Sequence, residues 1–458
     1  MAFTPDIAAI RFGEGLAAKV APPSSVEDVL EQLSGPDLAA QEFPVTPLAD
    51  LHGEFAEVRT LQVASRRGRN GPDADELLNA YKRARRKLNF RLQGEIAPVL
   101  SRSITTHQPF RERLTRFWAD HFTVVGRNNL TRNAVPAYVE DAIRPHISGR
   151  FSDMLKAVMT SPMMLDYLDQ NMSVGPNSRA AKGRRGLNEN LARELLELHT
   201  LGVGGAYAQS DVRQLAELLT GMTTEISSGF VFRPRIVEPG AEIVLGQSYG
   251  GGSPAVDDVM AFLDDVARHP DTVRHISHKL AVHFTSDTPD EGMIADMADA
   301  YAATGGELKA VYEVLLRHPF SWESFGQKVK QPIDFIASAM RVLEIPPASL
   351  KKLNRSKRSA YLISPLAAMG QQLYRPTGPD GWPEEAEAWV TPQGLAARIQ
   401  WAMAAPSAFF RGLPDPRDFV GAALGSVADD RVIFAARAAE TRREGVGLIL
   451  ASPAFQRR

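Results

Sequence analysis

Apolar residues recur along this chain mostly at spacings of three and four, the period of an amphipathic helix. Between Asp73 and Ser103 they fall at Leu77, Leu78, Tyr81, Leu88, Leu92, Ile96, Val99 and Leu100, which predicts one or two long helices. Ser24 stands three residues before Glu27 and just after Pro22-Pro23, the pattern of a capping box opening a helix. Helices are expected over 109–122, 135–147, 151–159 and 187–201, then over a segment capped by Ser210 and stopped by Gly221. The same pattern returns at 255–268, 272–286, 291–303, 307–317, 332–343, 364–373, 392–404, 416–424 and 428–450. Strand-like alternation marks 229–246, where Phe230, Phe232 and Ile236 alternate and Pro239-Gly240 reads as the turn of a small β-hairpin. No repeat of fixed period and no dividing linker interrupts the pattern. The expectation is one large, mainly α domain over 1–458, with a β-hairpin insertion at 229–246.

Composition then removes whole classes of chemistry. The chain has 458 residues and no cysteine. Disulfides, thiolate metal sites and Cys nucleophiles are excluded, and His, carboxylate and hydroxyl chemistry is left. Lys+Arg is 52 against 54 for Asp+Glu, a net charge of −2, so no chain-wide polycation for nucleic acid is present. The basic runs at 82–87 and 351–358 read as solvated faces, and no nucleic-acid partner is expected. Phosphate-binding loops, dinucleotide fingerprints and nucleophile elbows are missing. Asp6, Arg11 and Glu14 interrupt the first twenty residues, and no apolar run reaches ~18 residues. The reading is therefore cytoplasmic with no membrane span, export beside a signal-bearing partner being the alternative.

The candidate chemistry gathers on 187–201. On a regular α-helix Leu187, Leu191, Leu198 and Leu201 share one side, with Glu194 in the middle of that stripe and Asn190 and Glu197 at its edge. A carboxylate in an apolar face is costly unless paired, so Glu194 is either an ion-pair anchor or a perturbed acid or base. His121 lies on the apolar side of 109–122 with Phe110, Leu114 and Phe117. It is read as a core histidine or as a partner for Glu194, and Asp120 beside it is a candidate second carboxylate. His275 and His278, at i and i+3, point away from the face formed by Ile276, Leu280 and Phe284, so no metal site is assigned. Arg179, Arg184 and Arg185 precede the Glu194 segment in a polar loop that either clamps an anionic ligand or is simply solvated. Trp382, in a Pro/Gly-rich loop, and Trp389 either pin that loop to the core or offer a platform for a sugar ring.

Several segments together resemble the bacterial domain of unknown function 1800 (DUF 1800) family. They are AAIRFGEGL near the start, PFRERLTRFWADHF, NENLARELLELHTLGVGGAYAQSDVRQLAELLTGMT, HPDTVRHISHKLAVHF, KQPIDFIASAMRVL, MGQQLYRPTGPDGWPEEAEAWVTP and LASPAFQ near the end. The resemblance covers nearly the whole chain and implies a single, largely helical domain without a settled reaction. It also implies a plausible partner, because members are often encoded beside proteins of the domain of unknown function 1501 (DUF 1501) family. One departure stands out. Related sequences tend to read His-Glu-Pro-Gly where this chain has Val237-Glu238-Pro239-Gly240.

Two functions follow as expectations. The first is a hydrolase on a glycan or other cell-envelope polymer, with Glu194 as acid or base, Glu197 or Asp120 as second carboxylate, and His121 and Asn190 as orienting groups. The second is a non-catalytic accessory or assembly protein that partners a DUF 1501-like protein. A concave pocket beside the carboxylates would favour the enzyme. Neither a cofactor nor an oligomeric state follows from the sequence.

Overall fold

The structure is a computed structural model that describes residues 3–181, 186–225, 228–410 and 412–458. Helix dominates. Its principal elements are α1 (Leu48–Arg67), α2 (Ala74–Leu92), α3 (Ile96–Thr105), α4 (Pro109–His121), α5 (Phe151–Met159), α6 (Asn190–Glu194) and α7 (Gln209–Leu218). Four short strands follow: β1 (Met222–Glu225), β2 (Gly229–Phe232), β3 (Ala241–Val244) and β4 (Gln247–Gly250). After them come α8 (Val256–Ala267), α9 (Pro270–Phe284), α10 (Pro332–Val342), α11 (Pro392–Phe409) and α12 (Arg442–Ala451).

The chain gathers into two compact units that are discontinuous in sequence. The first takes Met1–Pro44, Ile96–Asp120 and Ile276–Arg458, and the second takes Val45–Glu95 and His121–His275.

In the first unit α3 lies against α10 and α11 against α12. Leu100, Ile104, Phe335, Met340, Trp401, Ile449 and Phe455 belong to one buried cluster. Phe335 meets Trp401 edge-on at 5.4 Å between ring centroids. Charge is buried beside this apolar core. Asp334 accepts from Arg113 at 2.9 Å, Arg116 at 3.0 Å and Arg458 at 3.0 Å, and Arg116 also pairs with Glu14. Ions removed from water need such partners, and one carboxylate serving three guanidiniums fixes how these segments assemble.

In the second unit α1 and α2 form an antiparallel helical hairpin, joined by Arg91–Glu54 at 2.8 Å. Helix α1 escapes the periodicity argument because only Leu48, Leu51 and Val58 of its twenty residues are buried. Helix α5 packs on α8 through an interior that includes Met154, Leu155, Val158, Phe262 and Leu263. The strands make two antiparallel hairpins, β1–β2 and β3–β4, among the described residues. The second hairpin turns at Leu245-Gly246, both with positive φ (50° and 78°), the backbone that matches strand twist in a two-residue turn. Pro239-Gly240 therefore connects the two hairpins, whereas the sequence pattern placed the turn of a single hairpin there.

A second difference bears on the site. Helix α6 ends at Glu194, and Leu195–Thr200 continues as a π-helical turn. The Leu201 N–H donates to Leu196 O at 2.9 Å, five residues back. The extra residue per turn rotates every later side chain away from its α-helical position.

Candidate functional site

That π turn changes the expected geometry of the Glu194 segment. Its buried residues are Leu191, Ala192, Leu195, Leu196, His199 and Thr200. Glu194 and Glu197 are half-buried and Asn190 is exposed, which corrects the placement of Glu194 at the centre of an apolar stripe. Tyr207 is held above the usual phenol range by burial, by the charge of Glu197 and by a hydrogen bond to it. Arg193 reaches Gln209 at 2.9 Å and Glu189 at 3.5 Å.

His121 is buried, and its Nε2–H donates to His199 O at 3.2 Å. The Nε2–H of His275 donates in the same way to Leu198 O at 3.2 Å. Both carbonyls belong to the π turn, where the altered ladder leaves backbone acceptors to be satisfied by other groups. Both imidazoles thus contact the backbone of the π turn. Among the described residues no group of three or more His, Asp and Glu side chains is placed to hold a metal ion.

Asp120 ends up among charges of the first unit. Its Oδ1 accepts the Trp382 N–H at 3.0 Å. Gly381, at φ +86°, lies so close that an added Cβ would stand 2.7 Å from Asp120 O. Burial, and then the charge of Glu384, push the Asp120 carboxyl up to about 8. Glu384 contacts His283 at 2.5 Å and Lys328 at 3.2 Å. Burial acts to raise Glu384, but the His283 contact and the charges of Lys328 and Lys279 outweigh it, and the carboxyl falls to about 2. Trp389 is buried and its Nε1–H donates to Pro383 O at 3.0 Å, while Trp382 is half-buried. Arg184 and Arg185 lie outside the described residues.

A concavity lies in the second unit, in a region the sequence marked through Arg179 and Val237. It has a volume of about 280 Å³, and its walls include Arg179, Glu217, Arg235, Val237, Glu238, Glu242, Tyr249 and Asp258. Helix α7 supplies Glu217 near its C-terminus. Gly221, at φ +100°, then turns the chain into β1. Strand β3 supplies Glu242 in an unusual register. Glu242 is buried at 6 % exposure whereas its neighbour Ile243 is 59 % exposed. A one-residue slip would bury Ile243 and expose Glu242. The register is held instead by α7, through Ile243 N–H to Gln214 Oε1 at 2.9 Å and Leu245 N–H to Asp211 Oδ1 at 2.8 Å. Tyr249 pairs with Glu242 across the hairpin and donates its hydroxyl to Asp265 at 3.0 Å.

Three glutamates meet at this cavity. Glu217 accepts from Gln214 at 2.9 Å and Arg213 at 3.2 Å. Glu238 accepts from the backbone N–H of Asn177 at 2.8 Å and from its side-chain amide at 2.5 Å, and its own N–H donates to Thr220 at 2.7 Å. Gly175 makes that seat possible, since an added Cβ would stand 2.6 Å from Glu238 N and 2.7 Å from Oε2. Burial raises the Glu242 carboxyl to about 7, helped by the charge of Glu217, a hydrogen bond to it and the charge of Glu238. A neighbouring negative charge of this kind favours the protonated form of Glu242. A carboxyl raised to about 7, two further glutamates and the cavity they line are groups that can transfer a proton at a bound molecule.

Sequence reasoning passed over this set for local reasons. Glu217 looks like a solvent-side residue that pairs with Arg213 along α7. Glu242 sits in a strand whose neighbours Ile243 and Val244 look like the buried ones. The candidate Arg179 and the His-to-Val departure at 237 pointed here, and both residues line the cavity with Glu238.

Neither the curated proteins nor the solved structures contain a match to this chain. The family model described as "Protein of unknown function (DUF1800)" matches residues 9–457, from the helical start to the last segment, and the chain belongs to that family.

Proposed function

We propose that the protein is a hydrolase acting by general acid–base catalysis on a glycan or related envelope polymer, with the second-unit cavity as its active site. The observation that carries this reading is Glu242, buried beside Glu217 and raised to about 7, in the wall of a cavity of about 280 Å³. A volume of that order accommodates a small polar group such as a sugar ring. Glu242 delivers its proton to the leaving oxygen as the C–O bond breaks. Glu238, oriented by both N–H groups of Asn177, takes a proton from water as its hydroxide adds to the carbon. Arg179 and Arg235 orient the substrate at the walls, the role the sequence suggested for Arg179.

In this scheme Glu194, Glu197, Asn190 and His121 support the fold around the π turn. Asp120 is the rival carboxylate, since it too is protonated near neutral pH. Trp382 and Trp389 fasten the loop that covers it. The experiment is to purify Glu242→Gln, Glu194→Gln and Asp120→Asn and assay each on a panel of glycans. Loss of activity by ~100-fold or more in Glu242→Gln alone supports the reading. Equal activity in Glu242→Gln and wild type sinks it.

The accessory reading, with a DUF 1501-like partner, draws on a different feature. The pairing of Asp334 with three arginines is a closed network of the kind that fixes a fold rather than one that reacts.

A further inference from the structure

The α1–α2 hairpin carries a surface that the proposed hydrolysis does not use. Lys82, Arg83, Arg86 and Lys87 on α2 are all exposed, and Phe90, which follows them, is 55 % exposed. At 100° per residue these five side chains fall within an arc of about 140° on one side of the helix. Phe90 stands one turn after Arg86 and Lys87 and two turns after Arg83, so an apolar ring sits at the edge of a cluster of cations. The acidic residues Asp75 and Glu76 occupy the first turn, away from this half of the helix. Leu78 adds a further apolar side chain at 36 % exposure. The remaining basic residue of the run, Arg85, is turned toward Tyr81, with its guanidinium 5.4 Å from the ring centroid.

The face combines exposed cations with a half-exposed aromatic ring. From this placement we infer that the α2 face docks the protein on an anionic phospholipid surface. The four cations meet the phosphate headgroups, and Phe90 enters the boundary between headgroups and acyl chains. A single-stranded nucleic acid would also match the charge, but it needs successive rings for successive bases, and this face offers one. The helix lies on the surface and does not cross it. Among the described residues no helix is long and apolar enough to span a membrane.

The test is co-sedimentation of the full chain with vesicles of phosphatidylglycerol and phosphatidylcholine in equal parts, and with vesicles of phosphatidylcholine alone. Binding to the anionic vesicles only, falling as salt is raised, is the expected result. Replacing Lys82, Arg83, Arg86 and Lys87 together by Gln keeps helix propensity and should lower the partition coefficient by roughly tenfold or more. Phe90→Ser should weaken binding while leaving its salt dependence in place. Equal binding to both vesicle types, no binding to the anionic ones, or tighter binding to a single-stranded oligonucleotide overturns the inference. If the fourfold variant does not fold, the wild-type comparison of the two vesicle types decides alone.

Discussion

Glu217 of α7 lines the same cavity wall as Glu242 of β3 and its charge helps burial raise the Glu242 carboxyl, while the strand register that places Glu242 there leaves Ile243 exposed. Exposing an isoleucine and burying a carboxyl both work against stability. The arrangement is held by Asp211 and Gln214 from the adjacent helix. The proposed role of Glu242 would account for local cost retained in this way.

The pair makes stability depend on pH with a definite sign. Glu242 binds its proton more tightly folded, at about 7, than unfolded, at ~4.3. Its stabilising contribution is complete below the unfolded value and is lost as pH rises through about 7. Urea denaturation of wild type and Glu242→Gln across that range should show wild type losing stability relative to the variant as pH rises. A difference that stays flat over the window contradicts a Glu242 carboxyl raised by the fold.

In the first unit Asp120 and Glu384 slope in opposite directions. Asp120 behaves as Glu242 does, contributing stability that disappears between ~3.9 and about 8. Asp120→Asn should therefore be more stable than wild type at pH 9 and closest to it below pH ~4. Glu384, lowered to about 2, contributes stability above ~4.3 that is lost as pH falls through about 2. Glu384→Gln should cost about 3 kcal/mol at neutral pH, because it leaves Lys328 buried with a weaker set of partners. Denaturation midpoints of the two variants at acid and alkaline pH check both signs.

Gly175→Ala tests the seat of Glu238. The new methyl would collide with Glu238 N and Oε2, and the backbone atom cannot swing away. A loss of about 2 kcal/mol is expected, together with a drop in hydrolytic activity. Thermal melting and the glycan assay read the two effects separately. Unchanged stability would show that the loop at 238 yields.

Asp334→Asn tests the first-unit network. Arg113, Arg116 and Arg458 would lose the charge that balances their burial, and a loss of about 3–5 kcal/mol is expected in equilibrium denaturation. A loss below about 1 kcal/mol would show that the arginines find other acceptors.

The helices were largely legible because their signals are local. Periodicity located Val256–Ala267 and Pro270–Phe284 within two residues at each end. It missed Leu48–Arg67, whose buried positions are too sparse to make a stripe. It misplaced Glu194, because a π turn has no sequence signature and a fixed 100° step rotates later residues wrongly. The candidate site was hidden for a different reason. Glu217, Glu238 and Glu242 lie on a helix, a connector and a strand, and only the fold brings Asn177 to Glu238 and Glu217 to Glu242. The Glu384–His283 contact joins residues 101 positions apart, which periodicity and spacing cannot reveal.

The most direct measurement is the release of reducing ends from envelope glycans by wild type and Glu242→Gln, assayed side by side from pH 5 to 9 with circular dichroism on both. The account predicts wild-type activity that falls as pH rises through about 7, and a folded variant reduced by ~100-fold or more. A folded Glu242→Gln with wild-type activity and an unchanged pH profile would contradict it.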